Sequence, residues 1–183
     1  MIVSDLVIAG ANPAKAAALK RVAAVLRVRC ARRVRVHVDE TGATFADNAR
    51  EKALAASRTA PGALALASDG GLEIPALGAR WDPLRTARID ADPDPRVKAR
   101  RLIELMEDVR GQARTARWVE ALAVALDGRL LAIWTEHGPD CLVATSLPAT
   151  VGPLWVDALL ERCHGKSGHW DRLARRFSEF WGR

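Results

Sequence analysis

The sequence predicts an α/β protein, and three stretches carry that reading. Residues 2–9 read as a strand, and a turn at Gly10 leads into an apolar 3.6-residue period over 14–27. Residues 33–39 alternate apolar and polar or charged side chains, as a half-buried strand does. Residues 63–72 form an apolar run of small and branched side chains that meets an acid and two glycines, the pattern of a buried strand stopping at Asp69.

The first stretch is well punctuated. Leu6, Val7 and Ile8 give the strand its apolar centre, and Leu19, Val22, Ala23 and Leu26 form the helix stripe. Asn12 suits the N-cap and Pro13 the first helical position. Strand, glycine turn and capped helix together make an anion site, because free N–H groups and the helix dipole point toward the turn. Lys15 falls in the first helical turn, where a cation opposes the dipole and gains nothing unless an anion is present.

In the second stretch Val34, Val36 and Val38 face a core, while the arginines and His37 face out. A helix follows from Thr44, which opens a capping-box variant with Asp47, and runs to about Ser57 with Phe45, Ala49, Ala53 and Ala56 as its stripe. After the buried run, residues 72–74 either pair beside it or continue it beyond a bend. Residues 80–95 are rich in Pro, Asp and Arg and read as an irregular connection. Asp94-Pro95 starts another helix, with Leu102, Leu105, Met106 and Val109 on one face. Residues 117–126 alternate loosely, Asp127-Gly128 makes a two-residue hairpin turn into 129–135, and 142–145 read as one more strand. Helical spacing returns at 156–163 and 170–180.

Composition narrows the class. At 183 residues the chain suits a single domain with a real core. With 49% hydrophobic and 27% charged residues it reads as soluble and globular, and no apolar run approaches the length needed to span a bilayer. Asp5 stands where an export signal would carry positive charge, and the three cysteines share no metal-type spacing. Together these features predict a cytoplasmic protein with reduced, mostly buried thiols. The net charge of +6 fits phosphate-bearing partners. It is weak evidence for nucleic acid, because no aromatic residues interleave with the arginines of 27–35.

At Glu40-Thr-Gly-Ala-Thr-Phe-Ala-Asp-Asn-Ala-Arg-Glu-Lys52 the chain resembles the inosine-triphosphate pyrophosphatase family, house-cleaning enzymes that remove ITP, dITP and XTP. The family pattern there is E-T-G-x-T-F-x-E-N-A-x-x-K-A, and Asp47 is the main departure. Gly10-Ala-Asn-Pro-Ala-Lys15 is similar to the family's T/S-G-N-x-x-K, residues 67–72 to its A-D-D-S-G-L, and Thr86-Ala87-Arg88 to its S-A-R. The C-terminal third departs further. Of the family's P-x-G-x-G-G-F-G-Y-D-P-I-F only Pro148, Gly152 and Asp157 survive; its aromatic falls on Leu154, with Trp155 beside it. The late K…S-H-R is reduced to Lys166 and His169, with Trp170 at the arginine position.

The resemblance implies a central twisted mixed sheet flanked by helices, with a cleft between two lobes of one domain spanning 1–183, and a homodimer. It implies hydrolysis of a nucleoside triphosphate to the monophosphate and pyrophosphate with Mg²⁺, held by Glu40 and Asp69. Asp69 would also act as general base, with Lys15 and the amides at Asn12 on the phosphates. The remaining substrate contacts would fall to Gly70, Arg88, Trp155, Asp157, Lys166 and His169. The family's first acid in D-D-S-G is Ser68 here and its serine is Gly70. That loss and the eroded C-terminal motifs support an alternative: a nucleotide-binding or interaction homologue with impaired turnover.

Overall fold

The computed structural model describes residues 5–10, 12–26, 30–164 and 168–182, with backbone only at 30 and 31. The chain forms an α/β fold around a six-stranded mixed sheet of order β2-β1-β3-β4-β5-β6. Strand β1 (Asp5–Ala9) lies between β2 (Cys30–Val34) and β3 (Leu64–Glu73) and is parallel to both, with Ala9 opposite Val34 and Ala67. Helices α1 (Pro13–Val22) and α2 (Phe45–Thr59) fall in the two crossovers that parallel pairing requires. β4 (Thr115–Leu126) and β5 (Arg129–Val143) are joined by Asp127 and Gly128, both at positive φ, the backbone a two-residue hairpin demands. β6 (Leu160–His164) pairs antiparallel with β5.

The chain divides into two compact units, and the three long strands β3, β4 and β5 contribute residues to each. The first unit holds 1–70, 120–136 and 168–183. Its core joins Leu6, Ile8, Leu19, Leu64, Leu66, Leu122 and Val124 to Leu173 and Phe177 of α4 (His169–Trp181). Helix α4 is also tied to β5 by charge: Arg172 and Arg176, one turn apart, donate to Glu136 at 2.7 and 2.5 Å. The second unit holds 71–119 and 137–167. Its core packs α3 (Pro95–Leu105) through Ala99 and Leu102 with Leu72, Trp81, Met106, Val143 and Leu159. Buried Arg114 donates from its guanidinium to the carbonyls of Met106, Val109, Val143 and Ala144.

Several elements differ from the sequence expectation. β3 does not stop at Asp69 but continues to Glu73, so residues 72–74 are largely its end. The alternating segment at 33–39 enters the sheet only as far as Val34; beyond it Val36 and Val38 are half-buried and His37 exposed, which keeps the face pattern without the ladder. The strands expected at 129–135 and 142–145 are one fifteen-residue strand. Residues 156–163, expected helical, form a short turn and then edge strand β6, because pairing with β5 overrides the helical spacing. The reduced-thiol expectation is also corrected. β5 and β6 bring Cys141 and Cys163 to a Cα separation of 4.0 Å, and they form a disulfide. Cys163 is exposed rather than buried.

Candidate active site

Parallel strands tend to carry their chemistry beyond their carboxyl ends, and the first unit does so. β1 ends at Ala9, opposite Ala67 of β3, so the α1 N-terminus and Asp69 follow from the same end of adjacent strands. Asn12 caps α1 as expected. Its Oδ1 accepts from the Ala14 and Lys15 amides at 2.9 and 3.3 Å, so two first-turn N–H groups are satisfied by the cap itself. The Lys15 side chain turns back from the helix. Its Nζ donates to the Gly70 carbonyl at 3.4 Å and stands 3.0 Å from Glu120 Oε1 on β4.

Asp69 is held from α2. Lys52 Nζ lies 2.7 Å from Asp69 Oδ1 and 2.7 Å from Glu40 Oε1, so two carboxylates converge on one ammonium. Asn48, one turn earlier on α2 and only 2% exposed, donates from Nδ2 to Asp69 Oδ2 at 3.1 Å. The Asn48 amide is itself set by the Gly42 N–H, which donates to its Oδ1 at 3.0 Å. These bonds use two of the roughly four lone-pair directions of the Asp69 carboxylate. Glu40 adopts φ +46, a left-handed conformation that costs a non-glycine residue about 1 kcal/mol, and points its carboxylate at the same ammonium as Asp69.

The donor set fits a hard divalent cation. Glu40 and Asp69 already share a cation, and Mg²⁺ is commonly held by one or two carboxylates together with water and substrate phosphates. No group of three or more His, Cys, Asp or Glu suited to a metal occurs among the described residues. Ser68, at the position of the family's first acid, is buried, and its Oγ has no hydrogen-bond partner among the described residues.

Glu40 and Asp69 are thus brought together on Lys52, and Lys15 reaches the carbonyl of Gly70, the residue after Asp69, with Asn12 capping the helix that carries Lys15. His169 is in this unit at the start of α4, with its ring centroid 5.9 Å from that of Trp170. In the second unit Thr86 is buried, donates to the Pro83 carbonyl and accepts from the Leu72 N–H at 2.9 Å, which anchors the turn that carries exposed Arg88. Trp155 is buried in that unit's core, whereas Leu154 is 48% exposed and Asp157 is exposed. Lys166 lies outside the described residues.

Sequence reasoning assigned no role to Asn48, Lys52 or Glu120. The first two lay inside a quoted motif at i and i+4, a spacing that places them on one helix face. Glu120 was a lone acid in the apolar run 119–125. A cavity of about 280 Å³ in the first unit, lined by Asp5, Leu6, Arg32, Pro61 and Ala63, sits at the amino ends of β1 and β3 and contains none of this cluster.

An α/β fold with a lysine–carboxylate cluster beyond its parallel strands is the class of protein described so far. The chain belongs to the Ham1 family, which it matches over residues 6–137. It is 45% identical over 97 residues to a dITP/XTP pyrophosphatase of Acidobacterium capsulatum, covering 49% of this chain and 47% of that one. A dITP/XTP pyrophosphatase of Xanthomonas campestris pv. campestris is 35% identical over 123 residues, covering 65% and 61%. The chain thus spans about half the length of the first of these curated relatives and less than two thirds of the second. A HAM1 protein of Coxiella burnetii superposes with a TM-score of 0.76 at 21% identity over 97% of this chain and 98% of that one, which establishes a shared fold.

Proposed function

We propose that this chain hydrolyses a nucleoside triphosphate, of the non-standard purine class, to its monophosphate and pyrophosphate. The observation that carries the proposal is the convergence of Glu40 and Asp69 on one cation beside a second lysine, Lys15. Cleavage between the α and β phosphates requires an activated water and neutralisation of spreading negative charge. Bound Mg²⁺ would be held by Glu40 and Asp69 and would supply charge neutralisation at the phosphates.

Asp69 is assigned the general base: it takes a proton from the attacking water as that water adds to the α-phosphorus and pyrophosphate departs. Asn48 and Lys52 support this role by fixing both oxygens of its carboxylate. Lys15 is assigned the phosphate chain as a compact point charge. The α1 amides of Ala14 and Lys15, expected to be free for an anion, are taken by the Asn12 cap, so Asn12 and the backbone at Gly70 would orient it. Arg88, Asp157, Lys166 and His169 are assigned to the base by motif position, whereas Trp155, expected to stand in for the family's stacking aromatic, is buried in its unit's core and its ring is packed there instead. Assembly as a homodimer, within one functional domain over 1–183, belongs to the same proposal.

The test is Mg²⁺-dependent pyrophosphate release from a panel of standard, deaminated and modified triphosphates. Release from at least one member is expected; none from any would overturn the enzyme reading. The orphaned Ser68 hydroxyl favours one other reading, a homologue that binds nucleotide without turning it over. That reading predicts saturable nucleotide binding by calorimetry and no pyrophosphate.

A further inference from the structure

Glu120 is a buried carboxylate that the proposed chemistry does not use. It is 1% exposed and sits in the apolar run Val119, Ala121, Leu122, Ala123, Val124 and Ala125 of β4. Stability gives no reason for an acid there, since apolar residues of similar volume commonly replace a buried ion pair at no cost or with a gain. Its carboxylate stands 3.0 Å from Lys15 Nζ, which also bonds the carbonyl of Gly70, the residue after Asp69. The pair therefore fixes where the ammonium points and offsets the charge it presents.

We infer that Glu120 is a positioning residue that sets both the direction and the effective charge of Lys15, so that the site holds a phosphate chain without retaining the pyrophosphate product. A bare ammonium in a half-buried site would bind a multiply charged anion too tightly to release it quickly, whereas a neutral pair binds it weakly and releases it. The inference rests on the pyrophosphatase reading above.

Calorimetry with Mg²⁺ and pyrophosphate tests it on the wild-type chain, Glu120→Gln, Glu120→Asp and Glu120→Gln combined with Lys15→Met. Loss of the nearby negative charge is expected to tighten pyrophosphate binding about tenfold in Glu120→Gln and to lower kcat and KM together. Glu120→Asp, which keeps the charge but shortens the reach, is expected to show no tightening and a raised KM. Adding Lys15→Met should remove the tightening. A purely structural glutamate predicts the opposite sign, weaker binding in Glu120→Gln. Unchanged or weaker binding in that variant, with binding by the wild type, overturns this inference alone. No pyrophosphate binding by any form, from a chain that releases pyrophosphate from a triphosphate, also overturns this inference alone; no release from any triphosphate overturns the pyrophosphatase reading and this inference with it.

Discussion

The Gly42 N–H donates to Asn48 Oδ1 at 3.0 Å, and that bond decides which end of the Asn48 amide faces Asp69. With its oxygen committed to the backbone, Asn48 can only donate to the carboxylate. A Cβ at residue 42 would stand 2.5 Å from Asp47 Cβ and 2.7 Å from Asn48 Oδ1, and both belong to short side chains on the first turn of α2. Gly42→Ala is therefore expected to cost about 1–3 kcal/mol of stability, as overpacking does. It should also reduce pyrophosphate release at least about tenfold by displacing Asn48. Thermal unfolding and a turnover assay check both, and wild-type values in both would refute the linkage.

Ser68 tests whether a missing acid limits the site. Its hydroxyl is buried and unpartnered among the described residues, so a carboxylate placed there would be poorly solvated unless a cation accompanied it. Ser68→Asp is expected to unfold at lower temperature than wild type without metal and to gain more from millimolar Mg²⁺ than wild type does. Equal Mg²⁺ responses in differential scanning fluorimetry would mean that residue 68 does not face the metal.

Glu136 makes the first unit acid-sensitive. Burial raises its pKa, but hydrogen bonds from Arg172 and Arg176 outweigh burial and hold it below the ordinary value of 4.5. A depressed carboxylate pKa contributes stability above its unfolded value, and that contribution disappears as pH falls through the folded value. Glu136→Gln should therefore be less stable than wild type at neutral pH, by about 1–2 kcal/mol given the partial exposure of both arginines. The gap should close as pH drops below 4.5. Chemical denaturation at pH 7 and pH 3.5 measures it, and a constant gap would contradict the assignment.

The Cys141–Cys163 bond closes a loop of 22 residues that contains Trp155 and Asp157. Chain-entropy arguments give such a crosslink about 3 kcal/mol. A thiol reductant should lower the unfolding temperature of wild type to that of Cys163→Ser and leave the variant unmoved. Identical melting of wild type with and without reductant would show that the bond contributes nothing.

What the sequence revealed was local. Asn12 and Pro13 announce α1, Thr44 announces α2, and an apolar run ending in Asp-Gly-Gly announces the strand that carries Asp69, because each signal lies within a few residues of what it controls. Lys52 and Asn48 were visible as one helix face, but only the packing of α2 beside β3 shows that the face points at Asp69. Glu120 was hidden because an acid in an apolar strand gains meaning only from Lys15, more than a hundred residues away. Edge strand β6 was mistaken for a helix because Val156, Leu159, Leu160 and Cys163 fall at helical spacing, while its pairing and disulfide partners lie on β5.

The most direct measurement compares pyrophosphate release by wild type and Asp69→Asn, on the triphosphate that wild type turns over fastest in Mg²⁺. The amide keeps the shape of Asp69 but cannot accept a proton from water, so release should fall about a thousandfold while the circular dichroism spectrum stays unchanged. Equal rates from the two proteins would remove Asp69, and the cluster built around it, from the chemistry.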